Sequence, residues 1–86
     1  MSNKEKKRKE LEALYHKTMK GLYERVEKAT TREECRSIRV DFWALRDKLL
    51  AEDPELYKSF REENWRFNDA LDGKVERLGG PLAPMR

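Results

Sequence analysis

Thr31 to Asp53 reads TREECRSIRVDFWALRDKLLAED, and two stripes run through it at helical spacing. Cys35, Ile38, Phe42, Leu45 and Leu49 recur at alternating steps of three and four, which puts them on one helix face. One residue further round runs a second series, Arg32, Arg36, Arg39, Trp43, Arg46 and Leu50. The first stripe reads as a core seam. The second is a row of arginines interrupted by a tryptophan, the most suggestive surface in the chain.

The stretch has legible ends. Thr31 with Glu34 matches a capping box, and Thr30 with Glu33 matches it equally well. Asp53-Pro54-Glu55 joins an N-cap residue, a residue suited to the first helical position and an acidic first turn. A helix over 31–52 follows, with a tight turn at Asp53 and a new helix starting at Pro54.

Working back toward the N-terminus, Leu11, Tyr15, Thr18, Leu22, Val26 and Ala29 make a stripe that Leu14, Met19 and Tyr23 widen. So wide an apolar face predicts a helix over 11–29 in contact with two neighbours. Gly21 lies inside it at a cost of about 1 kcal/mol relative to Ala; close approach of another backbone is its expected use, and a bend is the alternative. Working forward, Leu56, Phe60, Asn64, Phe67, Leu71, Val75 and Leu78 form the seam of a helix over 54–78, with Tyr57 beside it. Asn64 either fixes helix register from a buried position or lies at the seam's wet edge. Gly79-Gly80-Pro81 ends this helix.

The expected architecture is an all-α, antiparallel three-helix bundle. The rival is a long helical hairpin that dimerises into a four-helix bundle. Residues 1–10 form a basic arm or a frayed helix start, residues 11–78 the single domain and residues 79–86 a flexible tail. With 86 residues and 43% charged residues, the chain has room for one small core under heavily solvated outer faces. No apolar run suits a membrane span or a signal-peptide core, so a cytoplasmic address is the default expectation.

The net charge of +3 is unevenly placed. Lys4, Lys6, Lys7, Arg8 and Lys9 stand against Glu5 alone, giving +4 over residues 1–9. The remaining 15 Lys and Arg face 16 Asp and Glu, giving −1. The basic character is local, and it points to one patch rather than a basic body.

Catalytic chemistry is missing. One His (His16) and one Cys (Cys35) make no zinc set. Cys35 reads as a small buried hydrophobe, and His16, four residues after Glu12, as one member of a helix-surface pair. No Glu-x-x-His motif and no glycine-rich phosphate loop are present, and Ser2, Ser37 and Ser59 have no base at helical spacing. Asp69, Asp72 and Glu76 share a helix face that reads as solvated, able to attract the basic arm or the arginine row of another copy. No enzyme, metal, cofactor or small-molecule substrate is expected.

The binding surface is sought around two tryptophans. Trp43 and Trp65 lie ten and twelve residues from Asp53, so a hairpin places them within about one helical turn of each other. Arg36, Arg39 and Arg46 share a face with Trp43, and Tyr57 and Arg61 share one with Trp65. Either these seven residues form an exposed cluster for a protein partner or a second copy, or the tryptophans lie in a groove or under the first helix with arginine stems over them. The first case describes a small protein–protein interaction module, such as a regulator, inhibitor or assembly factor. The alternative is a weakly sequence-specific nucleic-acid-binding protein using Lys4, Lys6, Lys7, Arg8, Lys9 and Arg32, whose phosphate contacts make binding salt-dependent.

Overall fold

A computed structural model of the chain describes residues 3–79, and over these it is all helix and turn. Four helices follow one another: α1 Asn3–Lys28, α2 Arg32–Glu52, α3 Pro54–Ser59 and α4 Arg61–Arg77. The expected bundle of three helices is therefore wrong in its count. The seam that predicts one helix over 54–78 is carried by two, α3 and α4, separated at Phe60.

The break has a local cause. Ser59 Oγ donates to the Leu56 carbonyl at 2.6 Å, the kind of side-chain bond that competes with the helical ladder. Phe60 N–H bonds to the Tyr57 carbonyl at 3.0 Å, three residues back, and Phe60 itself leaves helical geometry at φ −97°, ψ 15°. Asn64 N–H then resumes the four-residue step to the Phe60 carbonyl at 2.9 Å. The dimerised hairpin also fails, because α1 lies along both α2 and α4 and the four helices share one core within a single chain.

The directions of the helices follow from their cross-contacts. Arg8 meets Asp53 while Arg25 meets Asp41, so α1 and α2 are antiparallel. Phe42 packs on Phe67 and Arg39 reaches Asp72, so α2 and α4 are antiparallel too. Tyr15 meets Asn64 and Lys74 meets Glu27, so α1 runs parallel to α4. The result is an elongated body of 58 × 20 × 17 Å.

Every member of the α2 core stripe is buried. Opposite it lie Leu11, Tyr15, Met19, Leu22 and Val26 of α1, Leu56 of α3, and Phe67 and Leu71 of α4, with Phe60 at the break. Fully burying one such side chain stabilises by about 1.5–3 kcal/mol. Of the two possible capping boxes, the chain uses Thr31 with Glu34. Glu34 N–H donates to Thr31 Oγ1 at 3.2 Å, and Glu34 Oε1 accepts from the Thr31 N–H at 3.1 Å. Asp53 ends α2 and starts α3, donating its N–H to the Leu49 carbonyl at 2.7 Å while its carboxylate accepts from Leu56 N–H at 3.1 Å. Gly79 ends the described chain at φ +83°, the left-handed cap that its position after α4 predicts.

One local expectation changes. A Cβ built on Gly21 meets nothing within 4 Å, so no backbone approaches it closely. Residues 3–10 are the first turns of α1, the helix start that was one of the two expectations for this stretch, and they are anchored by Lys7 to Glu52 at 3.0 Å and by Arg8 to Asp53 at 2.9 Å. The expected tail lies, apart from Gly79, outside the described residues. No described helix is long and apolar enough to cross a membrane.

Candidate macromolecule-binding face

The pairing of α2 with α4 sets the level of each surface side chain. The Phe42 and Phe67 rings are 4.9 Å apart, and Arg39 Nη2 lies 2.6 Å from Asp72 Oδ1. In an antiparallel pair with that register, Trp43 and Trp65 fall within about one helical turn of each other along the axis. Both are exposed, Trp43 at 44% and Trp65 at 62%. Each lies beneath an arginine: Arg46 is 5.8 Å from the Trp43 ring centre and Arg61 is 5.2 Å from that of Trp65. Such cation–π contacts at exposed sites are worth about 0.5–1 kcal/mol. They hold the guanidinium groups over apolar surface.

Two grooves open on this face. The first, about 570 Å³, runs along the N-terminal half of α2 and is lined by Arg32, Glu33, Cys35, Arg36, Arg39, Val40 and Trp43, with Val75 of α4. Arg39 is paired with Asp72 of the same chain, so one carboxylate of the acidic face of α4 is engaged from within. Arg32 and Arg36 have no acidic partner among the described residues. The second groove, about 470 Å³, is lined by Tyr57, Lys58, Arg61, Asn64, Trp65 and Asn68. Arg46 lies between the two and pairs with its neighbour Asp47 at 3.2 Å. Tyr57 is half-buried against the core, and that burial raises its hydroxyl pKa above the usual tyrosine value.

Asn64 is the floor of the second groove. It is buried to 4% exposure, and its Oδ1 accepts a 2.6 Å hydrogen bond from the Tyr15 hydroxyl. Tyr15 has no exposed surface and stacks flat on Phe60, ring centres 3.8 Å apart. Burial drives the Tyr15 hydroxyl far above the usual tyrosine range, so it stays a donor. Asn64 Nδ2 is buried and has no hydrogen-bond partner among the described residues.

Of the seven residues proposed for a partner, Arg36, Arg39 and Trp43 line one groove, Tyr57, Arg61 and Trp65 line the other, and Arg46 lies over the Trp43 ring. The structure does not gather the six proposed for nucleic acid. Lys4, Lys6, Lys7, Arg8 and Lys9 lie at the Asp53 end, whereas Arg32 begins α2 at the opposite end, about 30 Å away along the helix. Arg8 binds the Asp53 carboxylate through both Nε and Nη2, which removes it from the pool of free cations.

Val40, Lys58 and Asn68 line the grooves without having been singled out from the sequence. Val40 was detectable, since it lies four residues after Arg36 and three before Trp43. Cys35 is buried, which raises its thiol pKa, and packs as a core residue. Among the described residues no group of three His, Cys, Asp or Glu could hold a metal ion. The chain is thus a small all-helical domain that displays basic and aromatic residues together. No family model, no curated protein and no solved structure matches it.

Proposed function

We propose that the chain is a small, non-enzymatic module that binds another protein through the α2/α4 face. The observation that supports this is the pair of exposed tryptophans, each under an arginine, on adjacent helices. Trp, Tyr and Arg dominate binding hot spots because they join large contact area to directional polar groups. The surroundings are mixed in sign: Trp65 has Glu62 three residues before it and Asp69 four after. That mixture suits a protein surface better than a uniform polyanion. The test is proximity crosslinking in the source cells, comparing the wild type with the Trp43→Ala, Trp65→Ala double variant. Loss of the crosslinked partner with unchanged helical content is the expected result. Recovery of the same partner in equal yield would overturn the proposal.

One observation favours nucleic acid as a second reading. Arg32 and Arg36 stand unpaired in a groove that also holds an exposed indole, which joins phosphate chemistry to a stacking platform. Light-scattering mass after size exclusion, with a mixed-sequence duplex or a single strand at two salt concentrations, tests it. A mass increase that fades with salt, and whose salt slope flattens in Arg32→Ala, Arg36→Ala, supports this reading. No mass increase at low salt rules it out.

A further inference from the structure

The outer side of α2 carries a seam that no other described helix covers. Glu33, Arg36, Val40, Trp43, Asp47 and Leu50 recur at alternating steps of three and four, on the side of the helix away from its core stripe, and all six are exposed. That spacing is the one by which a helix packs along another helix. Val40 is 52% exposed, more than Trp43 beside it. Arg36 has no acidic partner among the described residues. Both hydrogen bonds that Asp47 accepts from Arg46 go to Oδ1, which leaves Oδ2 open.

The order of residues along this seam is its own complement. Arg36 and Asp47 lie equally far from the Asp41–Phe42 peptide bond, in opposite directions; so do Val40 and Trp43, and so do Glu33 and Leu50. We infer that the α2 half of the binding face takes a second copy of this chain, the two α2 helices running antiparallel about a two-fold axis at the level of that bond. The axis makes every contact twice. Arg36 of each copy meets Asp47 of the other, and Val40 of each covers the Trp43 indole of the other, so two ion pairs flank an apolar centre. Glu33 and Leu50 meet at the ends. Parallel pairing sets Arg36 on Arg36 and Asp47 on Asp47. Sliding the antiparallel pair by one heptad sets Arg36 on Val40 in one direction and Asp47 on Trp43 in the other. The centred register alone matches charge with charge and carbon with carbon. An unrelated protein needs no seam that is symmetric about its own midpoint, and this symmetry singles out the second copy. The contact uses no residue of the groove beside Trp65, and each chain keeps its own core.

This inference rests on the reading of the α2/α4 face as an interface and is tested apart from it. The full chain is brought to sedimentation equilibrium over a range from low micromolar to millimolar. One helix pair is small beside standard interfaces of about 1,200–2,000 Å², so a monomer–dimer equilibrium in the micromolar range is expected. Arg36→Asp and Asp47→Arg should each weaken the dimer about tenfold or more, because like charges then face each other at both ends. Mixing the two variants should restore association to within about threefold of the wild type, and the chain carrying both substitutions should dimerise by itself. Circular dichroism checks that each variant keeps its helical content. A wild type that stays monomeric throughout overturns the dimer. A dimer that neither single substitution weakens, or that mixing does not rescue, overturns it equally. A monomeric wild type whose crosslinked partner is still lost in Trp43→Ala, Trp65→Ala sinks the dimer and leaves the binding face standing. A dimer rescued by the charge exchange, in a chain whose crosslinked partner survives that double variant, does the reverse.

Discussion

The two ends of α2 use charge in opposite ways. At the Asp53 end the carboxylates are taken up: Glu52 holds Lys7 and Lys48, and Asp53 holds Arg8 while capping α3. At the Arg32 end the one engaged acid, Glu34, is turned back onto Thr30 and Thr31, and Arg32 and Arg36 are left unpaired. A charge map of the sequence gives the reverse impression, since the densest basic run belongs to the end where Lys7 and Arg8 are neutralised. Charge spent on a helix corner is structural. Charge left beside an open groove is available to something else.

The largest effect tests whether the two ends are parts of one unit. Phe67 is fully buried between them, against Phe42 and Tyr23. Phe67→Ala should cost about 3–5 kcal/mol in urea unfolding. Amide exchange should accelerate equally at both ends; acceleration confined to one end would make them separate cooperative units.

Next comes a paired exchange. Replacing Arg32 and Arg36 by alanine should weaken partner binding about tenfold and leave stability within about 0.5 kcal/mol. Replacing Lys7 and Arg8 by alanine should lower the thermal midpoint and leave binding unchanged. Calorimetric unfolding with a binding titration on each variant measures both, and reversed outcomes would break the contrast between the ends.

Midway between them, Gly21→Ala should stabilise the chain by about 0.4–1 kcal/mol, because the added methyl meets open space and the unfolded chain loses freedom. A destabilisation would restore the close-approach reading.

The smallest effect sharpens the comparison electrostatically. The carboxyl groups of Asp53 and Glu52 are held below their usual pKa values chiefly by hydrogen bonds from Arg8 and from Lys48 with Lys7, whereas Glu34 is held down chiefly by the Thr30 backbone and hydroxyl. Folded values below the unfolded ones mean that the stabilisation is full above the unfolded pKa and is lost as pH falls through the lower folded values. Acid should therefore loosen both ends. Salt should separate them, moving Asp53 and Glu52 upward by screening their cations and leaving Glu34 unmoved in an NMR titration.

Much of this architecture was readable from side-chain period and cap chemistry. The α2 seam, the Thr31–Glu34 box and the Asp53-Pro54 corner are local signals, and local signals survive in a sequence. The break at Phe60 does not announce itself, because Leu56, Phe60, Asn64 and Phe67 keep their spacing across it and both halves still bury the same side. The state of Asn64 was open because its partner, Tyr15, is 49 positions away. The anchoring of Lys7 and Arg8 was hidden for the same reason: it depends on α1 reaching back to the α2/α3 corner. The α2 part of the surface was visible as a second stripe, but the first groove also needs Val75 of α4, and the second is lined by α3 and α4 alone.

The parallel packing of α1 against α4 carries a kinetic consequence. α1 and α2, and α2 and α3, join through connections of three residues and one, so those neighbours find each other over short loops. The contact between α1 and α4 alone has to close across the whole intervening chain, and long closures cost more entropy than short ones. Assembly should therefore run as a fast hairpin collapse followed by a slower latching step, with the Tyr15–Asn64 bond as the latch. The groove floor at Asn64 is then the last part of the molecule to take shape and the first to be lost when it opens.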